Sequence, residues 1–297
     1  MKKLVFLLLM FLSCDICHIN GEQIVIEPLF TYPTAPDNLS TMEERCDYLV
    51  ANFWNSFDFK NNNTVDQNAL NDAFNVYAVS IGFANRKKTL NEIDKLISKF
   101  SKNPILTTQF LKAAEENLYG SRAVLFDDEI YIKFLDAFVK NKKIDSKRKT
   151  KYVNQLTALT NSRIGNKMHE FSFKNAVGKE ILYFPMSTPT LLIFCDPDNS
   201  DWRLMRLKME TNSRLSDYLD KGLVNVIFIV NSDRFNWEIL TSNYPKKWTV
   251  GANPEVADII DTRFQPMFYV IGKNGNILYK NMDSEISVEQ LLEVTTN

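Results

Sequence analysis

Four cysteines, two histidines and one knot of carboxylates are the residues of this chain that could carry chemistry. Cys14 and Cys17, in the run CDIC, make the only Cys-x-x-Cys in the sequence. They sit at the end of an apolar leader, with no strand before them and no helix after, so the spacing carries neither a redox nor a metal role. Cys46 and Cys195 fall in apolar settings in separate halves, where a cysteine behaves as a small buried hydrophobe. With only these two in the body of the chain, no disulfide scaffold is being built. Asp196, Asp198 and Asp201 bring three carboxylates together in DPDNSD. No glycine follows at the place a calcium loop needs and no glutamate closes it, so the residues read as a turn shaped by Pro197 with Asp198 or Asn199 capping the next helix. His18 belongs to the leader and His169 has no partner at ligand spacing, which leaves neither a zinc set nor a Ser-His triad. No metal and no cofactor are expected.

The elements that must hold these residues begin with the leader itself. Lys2 and Lys3 precede an unbroken apolar run from Leu4 to Leu12, then Ser13 and Cys14. The run is too short for a bilayer, which takes about 20 residues, and fits a secretory signal over 1–21. Cys14 after a small residue fits a lipoprotein signal, in which it becomes the acylated first residue; simple cleavage a little downstream and an uncleaved anchor are the other readings. No later stretch is apolar enough to span a membrane, so the rest is expected to be soluble in the envelope space. The composition, 45% hydrophobic and 24% charged over 297 residues, fits two globular domains. A formal net charge of −1 creates no field that would recruit nucleic acid. The basic run KNKKIDSKRKTK (140–151) reads as a helix end, a turn and a helix start with a solvated face.

Residues 22–38 are punctuated by proline and read as a tether or an edge-hugging arm. From 39 to 162 the apolar period is helical. Ser40 with Glu43 reads as a capping box before Met42, Cys46, Leu49, Val50 and Phe53, and Thr89 with Glu92 as a second one. Asp66 to Phe83, a helix opened by Pro104 and closed by Gly120, one begun at Asp127 or Asp128, and one begun at Asp145 or Ser146 complete six helices of a bundle. From 163 to 297 the period drops to two. Phe171, Phe173, Gly178, Ile181 and Tyr183 predict a hairpin, TPTLLIFC and LVNVIFIV two strands buried on both faces, and Asn274-Gly275 the turn of a second hairpin. Helices are expected at about 201–220, at 233–243 and at the C-terminus. The fold class is therefore a helical bundle followed by an α/β domain with helices on both faces of its sheet.

The order β-α-β-α-β-β-α, together with FCDPDNSDW (194–202), Trp237, YPKKW (244–248) and FQPMFYVIGKNGNI (264–277), resembles the bacterial envelope thioredoxin-like proteins related to peroxiredoxins and cytochrome-maturation redoxins. Within these the chain resembles the group with an N-terminal helical domain of unknown function, on YLVANFWNSFDF (48–59) and NSRIG (161–165). That resemblance, covering residue 36 onward, implies a Cys-x-x-Cys at the mouth of the helix after the first buried strand. Asn199 and Trp202 occupy the two places, and Cys195 stands where the family usually has an aromatic. Thiol exchange needs one thiolate to attack and another to resolve, so the redox activity does not carry over, and Cys195 is a packing residue rather than a working thiol. The resemblance also implies that Pro266 is cis and stands beside the turn. Gln265 would then offer its backbone to an extended peptide, with Trp202 as an apolar wall. The expectation is a catalytically silent binder of a protein or peptide, held to the membrane through Cys14. The alternative is an oxidoreductase or antioxidant protein using Cys195 or a partner's thiol.

Overall fold

The computed structural model describes residues 16–19, 22–25, 28–60, 64–184, 187–233 and 235–296. The leader's apolar run and Cys14 lie outside them. By internal contacts the chain forms two units, Met1–Asn141 and Lys142–Asn297.

In the first unit a short antiparallel pair, β1 (Ile16–Ile19) and β2 (Glu22–Val25), precedes five helices. These are α1 (Met42–Asn52), α2 (Gln67–Ile81), α3 (Arg86–Phe100), α4 (Pro104–Ala114) and α5 (Asp128–Lys140). A π turn, Glu115–Tyr119, extends α4 to the closing Gly120. Of the two readings of the N-terminal segment, the edge-hugging arm holds: Phe30 meets Phe53 edge-on at 5.6 Å and Tyr32 stacks on it at 5.0 Å. Phe100 and Phe110 stack at 4.5 Å at the centre of the bundle, and Leu70, Phe74 and Phe134 are sealed around them. Each such side chain contributes about 1.5–3 kcal/mol by leaving water.

Both capping boxes need correction. The first is one residue further on: Thr41 Oγ1 accepts the Glu44 N–H at 3.1 Å and Glu44 Oε2 accepts the Thr41 N–H at 3.0 Å. The second does not exist, because α3 starts a turn earlier with Asn85 Oδ1 accepting the Lys88 N–H. Thr89 therefore lies inside the helix, buried at 1% exposure.

The second unit opens with α6 (Ser146–Asn161), which the sequence reading assigns to the helical half. Its end is tied here: Asn161 Nδ2 donates to the Ile259 carbonyl at 2.9 Å, and Ser162 Oγ accepts the Asp261 N–H at 2.9 Å. There follow β3 (Phe171–Lys174), β4 (Glu180–Tyr183), β5 (Thr190–Cys195), α7 (Trp202–Glu210), α8 (Ser213–Asp220), β6 (Asn225–Val230) and α9 (Trp237–Asn243). Then come β7 (Thr249–Ala252), β8 (Met267–Ile271), β9 (Ile277–Asn281) and α10 (Ser284–Thr296). One mixed sheet runs β4-β3-β7-β6-β5-β8-β9, with β5, β6 and β7 parallel.

Alternation on β5 sends Leu191, Ile193 and Cys195 to one core and Leu192 and Phe194 to the other, as a strand buried on both faces requires. Two elements differ from expectation. The helix expected over 201–220 breaks at Thr211, because the Asn212 side chain accepts the Leu215 N–H and caps a new helix. Strand β7 has no counterpart in the sequence pattern; its Gly251 lies so close under Phe173 that a Cβ there would fall 2.1 Å from the ring. The second hairpin turns where expected, with Gly275 at φ 81°.

Candidate functional site

The β5–α7 turn is built from its own side chains. Asp196 Oδ1 accepts the Asp198 N–H at 2.9 Å and the Asp196 carbonyl accepts the Asn199 N–H at 3.0 Å. Asn199 Oδ1 then accepts the N–H groups of Asp201 at 3.0 Å and Trp202 at 3.1 Å. Those are orphan donors of the helix start, so of the two expected caps it is Asn199 that acts. The other end of the same amide crosses to the opposite loop, where Nδ2 donates to the Gln265 carbonyl at 3.2 Å. Gln265 answers with its own side chain, whose Oε1 accepts the Asp196 N–H at 2.8 Å. With an oxygen facing two N–H donors and a nitrogen facing a carbonyl, the orientation of the Asn199 amide is fixed by its partners. The Gln265–Pro266 bond is cis and Pro266 is buried beside this lacing.

Trp202 is not a wall of any groove, and the expectation is corrected here. It is 1% exposed and stacks on Phe228 at 4.8 Å with the rings 9° from parallel. Its indole N–H donates to Tyr244 Oη at 2.6 Å, and the Arg206 guanidinium lies 4.8 Å over the Tyr244 ring. Burial pushes the Tyr244 hydroxyl up to about 12, so it stays protonated as part of this network. The Gln265 backbone is likewise not open on its carbonyl side, because Asn199 occupies it.

Cys195 is fully buried, and its thiol lies 3.2 Å from the Asp196 carbonyl as a donor. Burial drives the thiol well above the ordinary range, with the Asp196 carboxylate pushing the same way. A thiol that does not ionise is not a nucleophile. Iodoacetamide is therefore expected to leave Cys195 unmodified in the native chain from pH 6 to 9 and to modify it on unfolding. The linked effect on stability has one sign: above about pH 8.5 the unfolded thiol releases a proton that the folded one keeps, so stability falls as pH rises. Native-state labelling at neutral pH, read by peptide mapping, would contradict this assignment.

Sequence reasoning missed the partners of Trp202 and a buried charge cluster. Trp202 and Met209, seven residues apart on α7, both face the core, and that spacing was the available signal. Asp261 is 2% exposed, with Lys280 Nζ at 2.5 Å and Arg263 Nη2 at 3.1 Å; nothing in its local sequence announces it. Among the described residues, no group of three or more His, Cys, Asp or Glu side chains is placed to hold a metal ion. Nor is any helix among them long and apolar enough to cross a membrane.

Residues 17–162 match the family described as a domain of unknown function, DUF5106. Among solved structures, a thioredoxin-like protein from Bacteroides caccae superposes with a TM-score of 0.67 at 20% identity, over 89% of this chain and 98% of its own. The C-terminal domain of an uncharacterized protein from Bacteroides fragilis aligns with 45% of this chain and 99% of its own at 23% identity, TM-score 0.41. The thioredoxin domain of a thiol-disulfide oxidoreductase from Bacteroides vulgatus aligns with 44% of this chain and 98% of its own at 14% identity, TM-score 0.37. No curated protein matches the chain. The first of these likenesses carries the fold of the second unit, which is thioredoxin-like.

Proposed function

We propose that this thioredoxin-like protein, with its preceding domain of unknown function, is silent in thiol-disulfide exchange and acts as a binding protein for a protein or extended peptide in the cell envelope. One observation carries the reading: the Asn199 amide takes the N–H groups of Asp201 and Trp202 and gives its own N–H to Gln265. The N–H groups of Asp201 and Trp202, which would stabilise an attacking thiolate at this helix mouth, are already engaged by a residue that cannot attack. The second cysteine's place is filled by a core tryptophan, so no resolving thiol could act there without loss of packing. The alternative, exchange through Cys195, has to expose a thiol that burial keeps protonated.

A partner strand that pairs with Gln265 displaces the Asn199 amide, at a cost of about 1 kcal/mol for the hydrogen bond it replaces. The site is thus closed at rest and opened by a ligand that offers its own N–H. Secretion and anchoring through an acylated Cys14 belong to the same proposal.

The test offers the full chain a disulfide-bonded, unfolded polypeptide with dithiothreitol as reductant, and reads both disulfide turnover and the amide resonances around Gln265. The expected result is saturable perturbation at Gln265 with turnover no faster than dithiothreitol alone. Turnover above that background overturns the silence, and an unperturbed Gln265 overturns the binding.

A further inference from the structure

Asp261 is a buried carboxylate four residues before Gln265, and neither loop contact of the site uses it. Its own polar groups are all engaged elsewhere. The N–H donates to Ser162 Oγ at 2.9 Å, the carbonyl accepts the Tyr269 hydroxyl, and Oδ1 accepts the Arg263 N–H at 3.3 Å. Oδ2 lies 2.5 Å from Lys280 Nζ and 3.1 Å from Arg263 Nη2, and both of those side chains are 12% exposed. The end of α6, β8, β9 and the loop itself thus meet on one residue.

A buried ion cluster is weak as a source of stability, because desolvation offsets the attraction and apolar residues of equal volume often serve as well. It does impose one geometry, since every hydrogen bond fixes a direction as well as a distance. That geometry runs on toward the site. The Arg263 guanidinium lies 5.3 Å over the Phe264 ring, and Phe264 packs on the core that holds Met267 and Tyr269. Gln265 comes next and is exposed, with Pro266 and Met267 buried behind it. An exposed residue has no packing of its own to place it, so its backbone stands where the anchors on either side set it. Of its two bonds to the β5–α7 turn, the one from Asn199 is the bond a partner strand would replace, so in the bound state the loop depends on those anchors.

On its N-terminal side the anchor reaches α6. Ser162, the residue after that helix, is 1% exposed and accepts the Asp261 N–H, and beside it Asn161 Nδ2 donates to the Ile259 carbonyl at 2.9 Å. The domain of unknown function ends at Ser162. We infer that the last helix of that domain is a working part of the thioredoxin-like unit: through Ser162 and Asp261, α6 positions Gln265 for an extended partner. Both are positioning residues and touch no ligand. This role for α6 rests on the binding proposed at Gln265.

The test compares the full chain with Ser162→Ala, Asp261→Asn and a control, Ile271→Val, which thins the same core at the far end of β8. Amide resonances of Asp196 and of the Asn199 side chain report the lacing in the free protein. The disulfide-bonded, unfolded polypeptide used above, titrated without reductant, reports binding. Ser162→Ala leaves the Asp261 N–H without its acceptor, and Asp261→Asn takes the charge from between Lys280 and Arg263. Both are expected to move the two resonances and to weaken binding at least about tenfold, the worth of one lost hydrogen bond. Ile271→Val is expected to lower the melting temperature and to do neither. Should Asp261→Asn fail to fold, Ser162→Ala decides the matter alone. Resonances unmoved by Ser162→Ala, resonances moved as far by Ile271→Val, or binding by Ser162→Ala equal to that of the natural chain each overturn the positioning role. A natural chain that does not bind the polypeptide sinks the reading of Gln265 as a binding site, and the resonances still decide whether α6 sets its place.

Discussion

Trp202→Ala is expected to destabilise the second unit by about 3–5 kcal/mol, the range for truncating a fully buried aromatic. The side chain lies flat on Phe228 and is ringed by Tyr244, Trp248 and Phe268, so its removal leaves a cavity lined by rigid rings that have little freedom to collapse. It also strips the Tyr244 hydroxyl of its donor inside the core. At about 2–4 °C per kcal/mol for a unit of this size, the melting transition should fall by roughly 10 °C. Trp202→Phe keeps a ring on Phe228 but loses the indole N–H and the volume of the second ring, so about 2–3 kcal/mol is expected, less than for Trp202→Ala. Urea unfolding followed by Trp237 and Trp248 fluorescence separates the two, and a loss below about 1 kcal/mol for Trp202→Ala would contradict the packing role. Restoring the cysteine pair by changing both Asn199 and Trp202 carries the same deficit. Failure of that double variant would report lost core packing and leave the groove untested.

The same residue shows what could be read from the chain and what could not. Strands β5 and β6 announce themselves by unbroken apolar runs, and Asn274-Gly275 by its turn chemistry, because each depends on neighbours in sequence. The helical half is legible for the same reason, from apolar residues at helical spacing. Its caps are less legible, because Ser40, Thr41 and Asn85 are all competent caps and the choice among them depends on where the apolar face docks. Trp202 reads as a surface residue only when its position is judged by the cysteine it replaces. Its seven-residue spacing from Met209 marks it as core, and the structure agrees. The lacing of Asn199 to Gln265 joins residues 66 apart, and the Asp261 cluster gathers groups from the residue after α6, from β9 and from the loop before β8. Contacts of that range follow from the tertiary fold, and no local pattern encodes them.

Asn199→Cys alone, with Trp202 kept, is expected to turn the same scaffold into a trap. A thiolate at this position faces the two N–H groups that now bind the Asn199 oxygen, at the mouth of α7. Both the hydrogen bonds and the helix N-terminus favour the ionised form. The carboxylates of Asp196, Asp198 and Asp201 oppose it, but none is buried and solvent screens them. The contact donors therefore prevail, and the thiol should titrate below the ~8.5 of free cysteine. At pH 7.5 iodoacetamide should modify residue 199 at least about 100-fold faster than Cys195, whose thiol stays protonated in the core. The stability lost with the cap and the bond to Gln265 is about 1–2 kcal/mol, less than for Trp202→Ala. When this thiolate attacks a substrate disulfide, one substrate sulfur leaves as a thiol and the other stays bonded to residue 199. No second thiol lies where Trp202 sits to resolve it, so a mixed disulfide should accumulate on a non-reducing gel instead of turning over. Slow labelling would mean that the helix mouth is not the electropositive pocket its N–H groups describe. Steady turnover would place a resolving thiol within reach and return Cys195 to the chemistry.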